Sequence, residues 1–157
     1  MNEAASETKA DILVVDDNPA NLGLLASMLQ DEGYDVRAAL SGTLALGALE
    51  GDLPDLVLCD VNMPGVNGFD VCLAMKSNLR TRQIPVIFIS ALDAIGDKVA
   101  AFEVGGADYI TKPFQVREVL SRVATQLTIL RLRRELLRQR EENAELLQRI
   151  AALVGRS

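Results

Sequence analysis

Apolar residues fall in five short runs: DILVV at 11–15, residues 34–39, DLVLC at 55–59, PVIFI at 85–89 and DYIT at 108–111. Runs this short, rich in β-branched residues and closed by polar ones, predict strands buried in a sheet. Between them the apolar spacing turns helical. Asn18-Pro19 opens a helix with Leu22, Leu25, Ala26 and Leu29 on one face and Gly33 as its stop. Further helices are predicted from Ser41-Gly42 to about Glu50, from Gly68 to about Asn78, and over about 94–104, where Gly105-Gly106 ends the pattern. Strands alternating with helices pair in parallel through right-handed crossovers. The expected fold class is therefore α/β, a doubly wound five-stranded parallel sheet.

From Gln115 the pattern changes, and neither Pro nor Gly occurs until Gly155. A continuous helix of about 40 residues would run roughly 60 Å. Val116, Val119, Leu120, Val123, Leu127 and Leu130 make a face fit to pack on the sheet. Beyond them a heptad sets in. Ile129, Leu136, Asn143 and Ile150 occupy position a, and Leu132, Gln139, Leu146 and Leu153 occupy d. Leu at d with one Asn at a favours a parallel two-stranded coil, because a buried Asn pairs best with its own copy in register. Glu135 at g then faces Arg140 at e of the partner helix. The expected organisation is a flexible polar N-terminus over 1–10, a domain over 11–127, and a coiled-coil helix over 128–157 continuous with the domain's last helix. A homodimer through that helix is expected.

Composition narrows the chemistry. Hydrophobic residues make up 49% of 157 and charged residues 24%, enough for a packed core without disulfides or metals. No apolar run reaches membrane-spanning length and the N-terminus has no signal-peptide pattern, so a cytoplasmic protein with no membrane partner is expected. Cys59 and Cys72 sit among apolar residues and read as reduced core thiols. Histidine is absent, which excludes histidine acid/base chemistry, Ser-His-Asp triads and His-ligated metals. Charge divides the chain. Residues 1–115 carry 7 Lys and Arg against 17 Asp and Glu, whereas 116–157 carry 9 Arg against 5 Glu. An acidic body joined to an arginine-rich tail implies two segments with different tasks.

In a doubly wound sheet the ligand site lies at the carboxyl ends of the strands. The residues that close the strands are Asp16 and Asp17, Asp60, Ser90 and Lys112. One strand-end aspartate is ordinarily a cap or turn residue, but four polar strand ends of matching chemistry point to a site. Three carboxylates at one edge repel unless a hard cation lies between them, which suits Mg²⁺. A carboxylate beside Mg²⁺ can act as a nucleophile toward phosphorus, and Lys112 and Ser90 offer a charge and a hydroxyl to a phosphoryl group.

These residues resemble a known family. VVDDNPANL at 14–22, DVNMPGVNGFD at 60–70, ISA at 89–91 and ADYITKPF at 107–114 look like the response-regulator receiver domain of two-component signalling, over residues 10–127. The resemblance implies a flavodoxin-like receiver fold with Asp60 as phosphoacceptor. It implies Mg²⁺ on Asp16, Asp17, Asp60 and the backbone carbonyl of Asn62, and Lys112 on the phosphoryl oxygens. It implies Ser90 as switch hydroxyl, Tyr109 as an aromatic that moves inward on activation, and a cis bond before Pro113. Asn62 and Leu92 occupy positions that tune phosphoryl lifetime in the family. The implied donor is a histidine kinase or a histidine phosphotransfer protein. The chain is then no enzyme beyond self-catalysed transfer and hydrolysis. The stop at Gly155-Arg156-Ser157 suggests an output domain beyond this chain, with a stand-alone regulator as the other reading.

Other readings are weaker. A phosphatase of the haloacid dehalogenase type needs an acid two residues after its nucleophile, where this chain has Asn62. Arg131, Arg133 and Arg134 interleave with the heptad seam instead of preceding it, which argues against a basic zipper and nucleic-acid binding. Gly65 and Gly68 read as turn residues rather than a phosphate cradle. The alternative function is a dimerisation scaffold indifferent to phosphorylation.

Overall fold

The strands run through β1 (Asp11–Val15), β2 (Asp35–Ala39), β3 (Leu56–Asp60), β4 (Val86–Ser90) and β5 (Asp108–Thr111). They alternate with α1 (Pro19–Asp31), α2 (Gly42–Ala48), α3 (Gly68–Lys76), α4 (Ile95–Glu103) and α5 (Val116–Val154). The structure, a computed structural model, describes residues 9–92 and 94–155. Most of the expected flexible N-terminus thus lies outside the described residues.

All neighbouring strands pair in parallel, in the order β2-β1-β3-β4-β5. This is the doubly wound sheet expected from the alternation. The period of two splits the strand side chains between two cores. Ile12, Val14, Leu56, Leu58, Ile87, Ile89 and Ile110 pack with Leu22, Leu25 and Leu29 of α1 and with Val119 and Val123 of α5. Leu13, Val15, Val57, Cys59, Val86 and Phe88 pack with Ala45 of α2, Val71, Cys72 and Met75 of α3, and Ala101 of α4. Both cysteines are buried and free, and burial raises both thiol pKa values, Cys72 to about 11.

Local chemistry places the helix starts. Asn18 accepts hydrogen bonds from the backbone of Ala20 and Asn21 ahead of α1, with Pro19 in the first turn. Ser41 caps α2, and Asn67 with Asp70 forms a reciprocal capping box on α3. The chain enters α4 through Ala94, whose methyl group cannot cap, and Ala101 is the one residue of that helix that is buried.

The chain divides into a unit through Leu127 and a second unit, Thr128–Ser157. Within the first, Arg122 of α5 grips both carboxylate oxygens of Asp108 at 3.0 and 2.9 Å and also reaches Glu118 at 3.4 Å. These carboxylates raise the pKa of Arg122. The second unit is helical through Val154 and carries exposed Leu132, Leu136, Leu146, Ile150 and Leu153.

Candidate functional site

The strand order reverses between β1 and β3, which opens a crevice at their carboxyl ends. Asp16 and Asp17 follow β1, and Asp60 ends β3. One carboxylate oxygen from each of the three lies within 4.8 Å of the others. Asp16 and Asp60 are buried, and Asp17 faces solvent. Asp16 is held twice: its backbone N–H donates to the Ala39 carbonyl at 3.2 Å, and its Oδ1 accepts from the Asn18 backbone at 2.9 Å.

Lys112 lies just past β5. Its backbone N–H donates to the Ser90 carbonyl at 2.7 Å, and the Lys112–Pro113 bond is cis. Its Nζ sits 3.1 Å from Asp16 Oδ2 and 3.7 Å from Asp60 Oδ1. One cation thus pairs with two of the three clustered carboxylates. The pKa of Asp60 is raised, first by burial and then by Asp16 and Asp17, against the opposing pull of Lys112 and of a backbone hydrogen bond from Asn62. A hard divalent cation fits such a set: oxygen donors that converge, with negative charge in excess. Asn62 itself is exposed.

Beside this crevice a second group is linked by hydrogen bonds. Ser90 is fully buried, and its Oγ accepts from the Leu92 backbone N–H at 3.2 Å. The Leu92 carbonyl in turn accepts a short hydrogen bond from the Tyr109 hydroxyl. The Tyr109 ring is 7% exposed and joins the core cluster under α3 and α4, so it already lies inward. In the sequence, only the family resemblance links these two side chains. The connecting atoms belong to the backbone of Leu92, which no side-chain pattern reveals.

Gly68 is not the turn glycine expected from the sequence but the first residue of α3. Gly65 has a positive φ of 72° and is a turn glycine, but Gly68 is needed for space. A Cβ on Gly68 would stand 2.2 Å from the carbonyl oxygen of Asp60. The first residue of α3 packs directly on the backbone that presents Asp60, and its N–H donates to the Val61 carbonyl at 2.9 Å.

Sheet order and an acidic crevice at the reversal point define the class, a doubly wound α/β domain with a cation-type site at the strand ends. Residues 12–124 match the response regulator receiver domain, and the chain belongs to that family, the phosphoacceptor switch module of two-component signalling. It is 44% identical over 147 residues to the response regulator PleD of Caulobacter vibrioides, covering 94% of this chain and 32% of PleD. It is 41% identical over 116 residues to RpaA of Synechocystis, a DNA-binding transcriptional regulator, covering 74% of this chain and 48% of RpaA. The chain thus spans about a third of the length of one of these relatives and about half of the other. Among solved structures, the chemotaxis protein CheY4 of Vibrio cholerae superposes with a TM-score of 0.71 at 28% identity, covering 74% of this chain and 97% of that one. NtrX of Brucella abortus gives 0.75 at 33% identity, covering 81% of this chain and 29% of NtrX. Among the described residues no helix is long and apolar enough to cross a membrane.

Proposed function

We propose that Asp60 accepts a phosphoryl group from a phosphohistidine presented by a histidine kinase or a histidine phosphotransfer protein. The carrying observation is the position of its buried carboxylate, grouped with those of Asp16 and Asp17 and 3.7 Å from Lys112. An Asp60 oxygen attacks phosphorus in line, the new O–P bond forms as the N–P bond breaks, and the imidazole leaves with the electron pair. Lys112 moves from the carboxylates to a phosphoryl oxygen and neutralises its charge. Asp16, Asp17, Asp60 and the Asn62 carbonyl would hold Mg²⁺, which when bound supplies the further positive charge that transfer needs.

A phosphoryl group on Asp60 recruits the Ser90 hydroxyl. Turning that hydroxyl breaks the bond it accepts from Leu92, and Leu92 also holds Tyr109. Ser90 and Tyr109 are therefore the switch pair, acting through the loop between them. The helix that follows, α4, has no side-chain cap and one buried residue, so its local repacking costs little. The receiver at 11–127 passes this change to the helix at 128–157. That helix forms a parallel homodimer through Ile129, Leu132, Leu136, Gln139, Asn143, Leu146, Ile150 and Leu153, and acts on an output domain outside this sequence.

Intact-mass spectrometry with Mg²⁺ and a small-molecule phosphodonor tests the acceptor, with light scattering on the same samples for the dimer. The expected result is a gain of one phosphoryl group, absent from Asp60→Asn, on a protein of dimer mass. Folded protein that gains no phosphoryl group would leave the dimerisation scaffold as the function.

A further inference from the structure

Beyond Asn143 the apolar residues of α5 come in adjacent pairs, Leu146-Leu147 and Leu153-Val154, with Ile150 between them. All five are exposed: 55% and 66% for the first pair, 67% and 68% for the second, 48% for Ile150. Before Asn143 one such exposed pair occurs, Leu136-Leu137, but no second seam can run through Leu137. Leu132 and Gln139 are each followed by an arginine, Arg133 and Arg140, which cannot replace them in a core.

Two seams can therefore be drawn through one helix. The first follows Leu132, Leu136, Gln139, Asn143, Leu146, Ile150 and Leu153, an unbroken heptad of alternating four- and three-residue steps. The second shares every position through Asn143, then steps by four to Leu147 and continues through Ile150 to Val154. Two consecutive steps of four are a stutter, which a coiled coil absorbs by local unwinding. The seams differ by a turn of the distal helix of about 50° at 3.6 residues per turn. Their apolar content differs by one methylene per chain, Leu153 against Val154. In either packing the unused pair lies at the flank of the core and remains partly covered. The stutter falls at Gln139 and Asn143, the polar and so weakest stretch of the seam. Arg138 bridges Glu135 and Glu142 along the same helix there, which keeps those carboxylates on their own chain in both packings.

We infer that the distal half of α5 offers a second copy of this chain two alternative seams, Leu146 with Leu153 or Leu147 with Val154, pivoting on Asn143. The partner is a second copy because the shared positions are self-complementary, with Asn143 meeting Asn143 in register. The inference rests on the parallel dimer proposed above and adds a two-state element to it.

Disulfide trapping in the full chain, with a copper–phenanthroline oxidant, separates the two claims. The native Cys59 and Cys72 are fully buried and do not report. Ile150→Cys lies in both seams and cross-links if the parallel dimer exists. Leu146→Cys and Leu147→Cys are then both expected to cross-link, with yields within about fivefold, whereas Arg133→Cys falls well below Leu132→Cys. Cross-linking at Ile150→Cys with only one of positions 146 and 147 overturns the double seam and leaves the dimer standing. No cross-link at Ile150→Cys removes the dimer and the inference together. Alanine substitution gives a second readout. Leu146→Ala and Leu147→Ala should each weaken dimerisation modestly, and the double variant by more than the product of the two. A single substitution as damaging as the double one overturns the inference.

Discussion

At Asp60, burial and the charges of Asp16 and Asp17 outweigh the pull of Lys112, and the carboxyl pKa stands above its ordinary value. The folded protein therefore binds more protons than the unfolded chain between the unfolded pKa, about 4, and the raised folded one. Stability falls as pH rises through that window, and the loss persists at neutral pH, where Asp60 is charged. Asp60→Asn removes the loss. In chelator at pH 7, denaturant titration should find the variant more stable than the parent by about 1 kcal/mol. Adding Mg²⁺ should raise the midpoint of the parent and leave that of the variant nearly unchanged. Lys112→Met works in the opposite direction. It leaves Asp16, 1% exposed, without its cation 3.1 Å away, and should cost about 2 kcal/mol in chelator while abolishing phosphoryl gain. A Lys112→Met protein as stable as its parent would mean that the ion pairs do not hold the crevice together.

Gly68 shows how an element positions the site. In an ordinary helix, Gly→Ala stabilises by up to about 1 kcal/mol. Here the added methyl group meets the Asp60 carbonyl and the Val61 backbone, neither of which can yield as a flexible side chain would. Gly68→Ala should therefore destabilise by about 2 kcal/mol and slow phosphoryl acceptance, both read by thermal melts and timed intact-mass spectra. The same residue marks the limit of what was legible beforehand. Strands, helix stops and caps follow from local chemistry: Asp16 and Asp60 close apolar runs, Asn18 and Ser41 sit where caps belong, and Gly33 and Gly105 have positive φ. The acidic crevice followed from topology, which needs only the order of strands. Gly68, the Asp108–Arg122 pair and the Leu92 bridge did not, because each depends on how close two elements approach. That distance is set by packing and leaves no trace in periodicity or residue type.

For the molecule as a whole, the two cores lie within residues 10–127 and use nothing from the distal half of α5. A fragment of residues 1–127 should fold cooperatively, keep phosphoryl acceptance and run as a monomer in light scattering, against a dimer for the full chain. An unfolded fragment would mean that the second unit supports the first. The charge asymmetry follows the same division: Asp16, Asp17 and Asp60 meet at the crevice of the acidic unit, and the arginines of the second share its helix with exposed Leu132, Leu136 and Leu146. The claim on which the rest depends is that Asp60 alone becomes an acyl phosphate. Borohydride reduces an aspartyl phosphate to homoserine, so peptide mapping after phosphodonor treatment and reduction reads the acceptor residue directly. Homoserine at position 60 and at no other carboxylate is the expected result. Conversion at Asp16 or Asp17, or none in folded protein supplied with Mg²⁺, would contradict it.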